Sequence, residues 1–180
     1  YHCTTVVISV LQNYNLMKRM LHLLALLIGF THATYPGSSV IDNSKWMDTT
    51  GKFIHAHGGQ IYEYNNVFYL IGTTQKKQPG WLSEGINCYS SSDLTNWKFE
   101  NEILHNTSIV VHNKNNVSPP WRIERPKVLY NAKNNNFVMW FHLDTSSFKL
   151  TSVGVATSDT ICGNYKFISS FEPDGLPSYD

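Results

Sequence analysis

The sequence carries little charge and few cysteines. Of its 180 residues 15% are charged, with 14 basic against 13 acidic side chains, so the net charge is only +1. That balance provides no basic surface of the kind that nucleic acid or an anionic membrane attracts, and neither partner is expected. The sequence also has no G-x-S-x-G motif, no glycine-rich phosphate-binding motif and no C-x-x-C pair. Serine-nucleophile, nucleotide and thiol redox chemistry therefore have no support, and no cofactor is expected.

Long hydrophobic runs are also scarce. The longest lies within Met17–Ala33 and is too short to cross a membrane, which takes about 20 apolar residues. Two basic residues precede its apolar core, a pattern typical of a secretory signal peptide cut after Ala33; the alternative is a buried helix. Residues 1–16 come before this segment and begin without Met, so we interpret them as translated sequence upstream of the true start. On this interpretation the protein is secreted and extracellular, and residues 34–180 form the mature chain.

Two further features fit secretion. Asn106 and Asn116 each begin an N-x-S/T sequon, and both are expected in a polar surface loop. Cys88 and Cys162 remain after removal of the signal, and an oxidising compartment permits a disulfide between them. Two buried free thiols are an equal alternative, because the sequence does not fix the separation of the two residues.

The strand patterns come in two groups. Aromatic residues make up 13% of the chain, a content that suits strands. We interpret the groups as blade one, about 54–100, and blade two, about 124–170, of a repeated fold. In blade one, Asn65-Asn66 predicts a tight hairpin, because Asn tolerates the left-handed conformation. The predicted strands lie at 59–64, 67–73, 86–91 and 97–99 in blade one, and at 127–130, 137–143, 152–157 and 165–169 in blade two.

The two groups also repeat in sequence. S-D-L-T-N-W-K-F at 92–99 matches S-D-T-I-C-G-N-Y-K-F at 158–167, and the segment Glu100–Ile123 between the groups is expected to be loop. Repeated sheets of this kind indicate an all-β protein, a β-propeller of which about the first two blades are present. A repeat fold needs at least about three units to cover its faces, so one aromatic face is expected to be exposed.

Polar residues lie where the inner strands of the two blades begin, and in a propeller such strands surround one central channel. In blade two, Glu124 and the adjacent Arg125 precede an apolar strand, so the Glu124 carboxylate can face the channel. A Glu–Arg pair on the protein surface is the equal alternative. In blade one, His57 occupies the equivalent place, and Gly58 beside it allows a ligand or another blade to approach the backbone closely. The H-x-H pattern here lacks accompanying cysteine or carboxylate ligands, so no metal site is expected.

The second strand of blade two ends in further polar residues. His142 and Asp144 share a face because side chains alternate along a strand, and Trp140 lies on that face too. A carboxylate near an imidazole suits a sugar diol, so these three residues are predicted to bind substrate. The alternative is a turn in which Asp144 caps Ser146 or Ser147.

Five motifs resemble those of glycoside hydrolase family 43, the five-bladed propeller glycosidases, and in particular its exo-β-1,3-galactanase branch. They are H-A-H-G-G at 55–59, C-Y-S-S-S-D-L-x-N-W-x-F at 88–99, E-R-P-K-V-x-Y-N at 124–131, M-W-x-H-x-D at 139–144 and G-V-A-T-S-D at 154–159. The resemblance implies an inverting hydrolase, in which an acid protonates the leaving oxygen while water attacks the opposite face of the sugar. It gives Glu124 the role of the blade-two acidic residue, which tunes the acid and orients the substrate.

At several positions this sequence departs from the pattern of the family. The blade-one Asp base of the family has no counterpart near His57, as in the galactanase branch, and the blade-three Glu acid of the family falls beyond Asp180. The chain is therefore expected to lack the general acid and to be inactive alone. Thr73 stands where the branch usually has Glu, and Phe148 where it often has Tyr. Both departures remove hydrogen-bonding partners for the terminal sugar.

Two functions follow from this resemblance. The first is a secreted exo-glycosidase that binds oligo- or polysaccharide and releases galactose from β-1,3-linked galactan in arabinogalactan side chains. The second, favoured by Thr73 and Phe148, is a carbohydrate-binding propeller of the same fold without activity. A propeller that binds only proteins is disfavoured, because aromatic and polar groups gather at the inner strand ends.

Overall fold

The computed structural model describes residues 46–75, 82–111 and 120–178. The segments interpreted from the sequence as upstream translation and signal peptide, at 1–33, and the Asn116 sequon lie outside the described residues. Within the described part of the chain, no helix is long and apolar enough to cross a membrane.

The described residues form two four-stranded antiparallel sheets, each with its strands in chain order. The first sheet consists of β1 (His57–Tyr64), β2 (Val67–Gln75), β3 (Ser83–Ser91) and β4 (Lys98–His105). The second consists of β5 (Trp121–Asn131), β6 (Asn136–Thr145), β7 (Ser152–Ser158) and β8 (Lys166–Phe171). Short 3-10 turns lie at Asn106–Ser108 and Pro173–Gly175. The prediction of an all-β fold with two groups of four strands is confirmed.

The boundaries of β4 and β5 differ from the prediction. The segment predicted as loop, 100–123, begins inside β4, which continues to His105, and ends inside β5, which starts at Trp121. Trp97, predicted to begin a strand, lies just before β4, where its buried indole donates a hydrogen bond to the Leu94 carbonyl. An aromatic residue that packs on a turn resembles a strand residue in sequence, because both are apolar positions between polar ones.

The turn between β1 and β2 follows from its local sequence. Asn65 and Asn66 have φ angles of 53° and 60°, in the left-handed region that a type I′ hairpin turn requires at both central residues. The turn sets the register, in which Tyr64 pairs with Val67. The predicted hairpin is confirmed.

The main core contains side chains from both sheets. Alternate residues of β2, β3, β5 and β6 point into it. They include Ile71, Ile86, Ile123, Met139 and Phe141, all of them buried. A disulfide joins Cys88 of β3 to Cys162, in the loop before β8, and so links the first sheet covalently to the second. Of the two alternatives that the sequence left open, a disulfide and two buried free thiols, the structure has the disulfide.

Polar side chains also connect the inner strands β1 and β5. The Gln60 amide donates to the Val128 carbonyl at 3.2 Å and accepts from the Val128 N–H at 2.6 Å. The Tyr130 N–H donates to the hydroxyl of Tyr62 at 3.4 Å. Backbone groups on the inner edge of β5 are therefore paired as another strand would pair them.

Asn106 ties the end of β4 to the start of β5. Its amide nitrogen donates to the carbonyls of Ser83 and Trp121, and its amide oxygen accepts from the Trp121 N–H. The residue is only 6% exposed. The expectation of a surface sequon is therefore wrong for Asn106, because its amide is buried and its nitrogen already makes two hydrogen bonds.

The second sheet exposes apolar side chains on the face turned away from the first. Trp140 is 40% exposed and lies edge-on to Phe171, with ring centroids 6.1 Å apart. Leu129 is exposed as well, since it alternates with the buried Val128. Among the described residues no second sheet covers this face, as expected of a repeated sheet that has a neighbour on one side.

Candidate functional site

A backbone irregularity interrupts the start of each inner strand. The pairing register of β1 shifts after His57, and that of β5 shifts after Glu124. Each irregular segment contains a residue with positive φ, Gly58 at 58° and Arg125 at 52°. Bulges of this kind redirect side chains and are frequent beside active sites.

The two bulges lie against each other. A Cβ built on Gly58 would lie 3.2 Å from Cγ of Arg125 and 3.6 Å from its backbone nitrogen. Glycine therefore serves both the positive φ and the close approach. This contact brings the beginnings of β1 and β5 to the same place.

Glu124 lies at this junction with its carboxylate partly exposed. Its side chain is 25% exposed, and Nη1 of Arg122 lies 3.5 Å from its Oε1. Across the sheet it pairs with His142 of β6. A carboxylate in this position can accept hydrogen bonds from a ligand while the neighbouring cation holds its other side.

A buried cluster of polar side chains, Arg122, His142 and Asp144, lies on the same face of the sheet as Glu124. Arg122 and Asp144 pair across the sheet, with side chains 6% and 0% exposed. Nε2 of His142 lies 3.8 Å from Oδ2 of Asp144. Burial lowers the pKa of His142; the carboxylates of Asp144 and Glu124 oppose that shift, and the Arg122 charge adds to it. His142 is therefore a neutral imidazole near neutral pH.

Asp144 also organises the turn after β6. Its Oδ1 accepts from the N–H groups of Thr145 at 2.7 Å and Leu150 at 2.9 Å. The turn-capping alternative thus describes one role of Asp144, although Ser146 and Ser147 are not the capped residues. Its side chain is fully buried and holds this turn, and the expectation that Asp144 contacts substrate stays a prediction.

The same turn carries Phe148 over the buried cluster. Its ring centroid lies 4.3 Å from Cζ of Arg122, a cation–π arrangement. Phe148 has a φ of 55° and is 54% exposed. One face of the ring therefore covers the guanidinium, while the rest of the side chain meets solvent.

The corresponding part of the first sheet is more open. His57 is exposed, and its carbonyl accepts a hydrogen bond from the Thr73 hydroxyl at 3.0 Å. Thr73 is only 1% exposed, and its hydroxyl holds the backbone of the β1 bulge. His55, His57 and Trp46 contribute to the lining of a concavity of about 260 Å³ beside this bulge. Among the described residues, no three His, Cys, Asp or Glu side chains are close enough to hold a metal ion.

The residues singled out from the sequence fall into two groups that each lie close together. Glu124, His142 and Asp144 lie on one face of the second sheet, and Arg125 touches Gly58 of the first.

Two further residues on this face make contacts that the sequence did not indicate. Trp140 shares the face of His142, but it packs toward Phe171 on the exposed apolar part of the sheet. Arg122 was not singled out from the sequence, yet it contacts Glu124 and Phe148. Its spacing was the available signal, because residues two apart on a strand share a face.

Solved structures of glycosidases are similar to this chain. An exo-β-1,3-galactanase from Phanerochaete chrysosporium, solved with galactose, is 39% identical; the match covers 74% of this chain and 30% of that one, with a TM-score of 0.64. An exo-β-1,3-galactanase from Clostridium thermocellum is 34% identical over 76% of this chain and 30% of that one, with a TM-score of 0.61. A family 43 β-1,3-galactosidase, solved with galactodeoxynojirimycin, is 40% identical over 71% of this chain and 37% of that one, with a TM-score of 0.61.

The chain spans 30–37% of the length of these three relatives. No protein-family model matches the chain, and no curated protein matches it. The assignment therefore depends on 34–40% identity to glycosidases over 71–76% of the chain, together with the shared fold. On these grounds the chain is similar, over most of its length, to about a third of the exo-β-1,3-galactanases of glycoside hydrolase family 43.

Proposed function

We propose that the chain is part of a secreted glycoside hydrolase that removes galactose from the ends of β-1,3-linked galactan, as in arabinogalactan side chains. The observation that carries the proposal is the junction of β1 and β5, where the partly exposed Glu124 carboxylate lies against the buried Arg122. A few fixed polar groups in such a position suit recognition of sugar hydroxyls. The galactose and β-1,3-galactotriose in structures of the Phanerochaete enzyme support galactose as the sugar recognised.

The proposal includes a five-bladed propeller whose first two blades are the described sheets. The exposed aromatic face of the second sheet, with Trp140 and Phe171, supports it, because such a face is stable when another sheet covers it. Secretion fits the disulfide between Cys88 and Cys162, which an oxidising compartment favours.

In this proposal the inner strand starts orient the terminal galactose. Glu124 accepts hydrogen bonds from sugar hydroxyls, and Arg125 and His57 donate to them. Gly58 gives the sugar access to the backbone, and the neutral His142 fixes the side of Glu124 that faces the sheet. Inversion needs an acid and an attacking water on opposite faces of the sugar, with the groups that serve them roughly 6.5–9.5 Å apart. The acid is assigned to another blade, and Glu124 orients the sugar toward it.

A substrate panel tests this proposal. The protein at its full natural length is incubated with β-1,3-galactotriose, β-1,4-galactotriose and β-1,4-xylotriose, and the products are separated by chromatography. Galactose is expected as the first product, from the β-1,3-linked trisaccharide alone. Equal hydrolysis of β-1,4-galactotriose would contradict the assigned linkage, and galactobiose appearing without galactose would contradict the exo mode.

Carbohydrate binding without hydrolysis is the second candidate. It is favoured by Thr73, whose hydroxyl is turned to the His57 carbonyl, and by Phe148, which offers no hydroxyl to a sugar. A protein that only binds would migrate more slowly in an electrophoresis gel that contains β-1,3-galactan, and it would release no galactose from that polysaccharide.

A further inference from the structure

We propose that Phe148 is a positioning residue for Glu124 and acts through Arg122. The inference rests on the proposed function, and it names a residue whose contribution to sugar recognition needs no contact between its own side chain and the sugar.

The ring of Phe148 covers the solvent-facing side of the Arg122 guanidinium. The ring lies 4.3 Å from Cζ and is itself 54% exposed, whereas the Arg122 side chain is only 6% exposed. Removal of the ring would therefore open the guanidinium to water. A long, flexible arginine would also lose one of the surfaces that restrict it to a single conformation.

The position of Arg122 affects sugar recognition because its partner, Glu124, carries the partly exposed carboxylate of the site. Nη1 lies 3.5 Å from Oε1 of Glu124, at the long end of hydrogen-bond distance. An ion pair that water reaches is weak, and it strengthens when water is excluded from one side. The Phe148 ring excludes water there, so the guanidinium holds the Glu124 carboxylate in one orientation toward the junction of β1 and β5.

The turn that carries Phe148 supports this interpretation. Phe148 adopts a φ of 55°, a conformation that costs free energy for a residue with a Cβ. The turn is held in place by Asp144, which accepts from Thr145 and Leu150 N–H groups, and by the Thr145 hydroxyl, which accepts from the Lys149 N–H at 3.0 Å. Asp144 thus fixes the strained turn, the turn places the ring on Arg122, and Arg122 positions Glu124.

A double-mutant cycle tests the coupling between Phe148 and Glu124. Phe148→Leu, Glu124→Gln and the double variant are compared for kcat/KM on β-1,3-galactotriose, with Phe148→Tyr as the variant that keeps the ring. Phe148→Leu is expected to lower kcat/KM about tenfold, as loss of a desolvated cation–π contact does. Phe148→Tyr should remain at least at the wild-type level, and Phe148→Leu should have no further effect when Glu124 is already Gln. An equal loss in both backgrounds would show a merely structural role and overturn the inference.

A second measurement does not depend on activity. Exchange of the Arg122 Nε proton with water is followed by ¹⁵N NMR in the wild type, Phe148→Leu and Phe148→Tyr, with Phe99→Leu as a control that removes an exposed ring elsewhere. Faster exchange is expected in Phe148→Leu alone. Unchanged exchange in Phe148→Leu overturns the inference even if the protein hydrolyses no galactan. A Glu124→Gln variant that keeps full activity contradicts the proposed function instead, and the two failures are thereby distinguished.

Discussion

At the residue scale, the site divides into one partly exposed carboxylate and a buried cluster on the same face of the sheet. Glu124 meets solvent, whereas Arg122, His142 and Asp144 do not. Buried charges persist only when other groups compensate them, so a change in this cluster disturbs both the fold and the site. A change at Glu124 itself leaves the buried groups in place, so it affects the site more than the fold.

Replacement of Glu124 by Gln should therefore reduce galactose release from β-1,3-galactotriose by about 100-fold or more, because the amide keeps the shape but loses the negative charge. The melting temperature should change little. Steady-state kinetics and thermal unfolding measure the two effects. Glu63→Gln, on the exposed side of β1, is the matched control. Activity of Glu124→Gln within a few-fold of the wild type would remove Glu124 from the site.

His142 predicts a pH dependence of stability. Its folded pKa is lowered below the ordinary value of 6.5 by burial, so the unfolded chain takes up a proton more readily as the pH falls. The free energy of unfolding is then lost as the pH drops below the unfolded pKa, and it is present in full above that value. The melting temperature should fall between about pH 7.5 and about pH 5, and it should fall less in His142→Gln.

His105→Gln is the control for this prediction, because that imidazole is exposed. The same fall in the wild type and in His142→Gln would show that His142 does not cause it.

The sequence predicted part of the site for identifiable reasons. Glu124 and His142 were singled out because polar residues at strand ends contrast with apolar neighbours. Arg122 was missed because it lies outside the E-R-P-K motif. Trp140 was assigned to the site from alternation alone, but its contact with Phe171 depends on the distant β8.

At the element scale, side-chain amides form the hydrogen bonds that a neighbouring strand would otherwise provide to backbone groups. Gln60 pairs with both backbone groups of Val128 on the inner edge of β5. Asn106 does the same between the end of β4 and the start of β5, where it bonds Ser83 and Trp121. These contacts fix where the inner strands begin, and hence where the bulges of Gly58 and Arg125 meet.

Asn106→Ala should lower the free energy of unfolding by about 1–3 kcal/mol, because it leaves buried backbone groups of Trp121 and Ser83 without partners. Urea unfolding measures the change. Ser108→Ala destroys the same sequon and loses one exposed hydrogen bond, to the His105 carbonyl, but keeps the Asn106 amide. It therefore separates a loss of the buried hydrogen bonds from a loss of glycosylation. Equal effects of the two substitutions would contradict the structural role of Asn106.

Turns and strand ends could be predicted where neighbouring residues in the sequence determine them. The hairpin at Asn65-Asn66 was found because its turn chemistry lies in the two residues themselves. The end of β4 was not found, because Asn101 and Glu102 are polar and extend the strand through pairing with β3. Tyr165 and Ile103 join the two sheets through a backbone hydrogen bond at 2.7 Å, a contact that no local pattern indicates.

At the scale of the described sheets as a whole, one covalent bond crosses between them. The disulfide joins Cys88 and Cys162 across a sequence separation of 74 residues. The cross-link restricts the unfolded chain and thereby stabilises the pair of sheets. The sequence could not decide its existence, because the distance between the two cysteines depends on how the sheets pack.

Cys88→Ser should lower the free energy of unfolding by about 2–4 kcal/mol, because the unfolded chain regains the freedom that the cross-link removes. Guanidinium unfolding of the wild type, with and without a reducing agent, gives an independent value. Reduction of the wild type and the substitution should agree, and Cys162→Ser should match both. An unfolding midpoint that is unaffected by reduction would contradict this role of the disulfide.

A structure of the protein with bound galactose tests the central claim most directly, namely that the starts of β1 and β5 form one sugar site. The account predicts galactose at this junction, with a hydroxyl within hydrogen-bond distance of the Glu124 carboxylate and the ring beside Gly58 and Arg125. Galactose ordered elsewhere on the protein, with the junction left to water, would contradict the account.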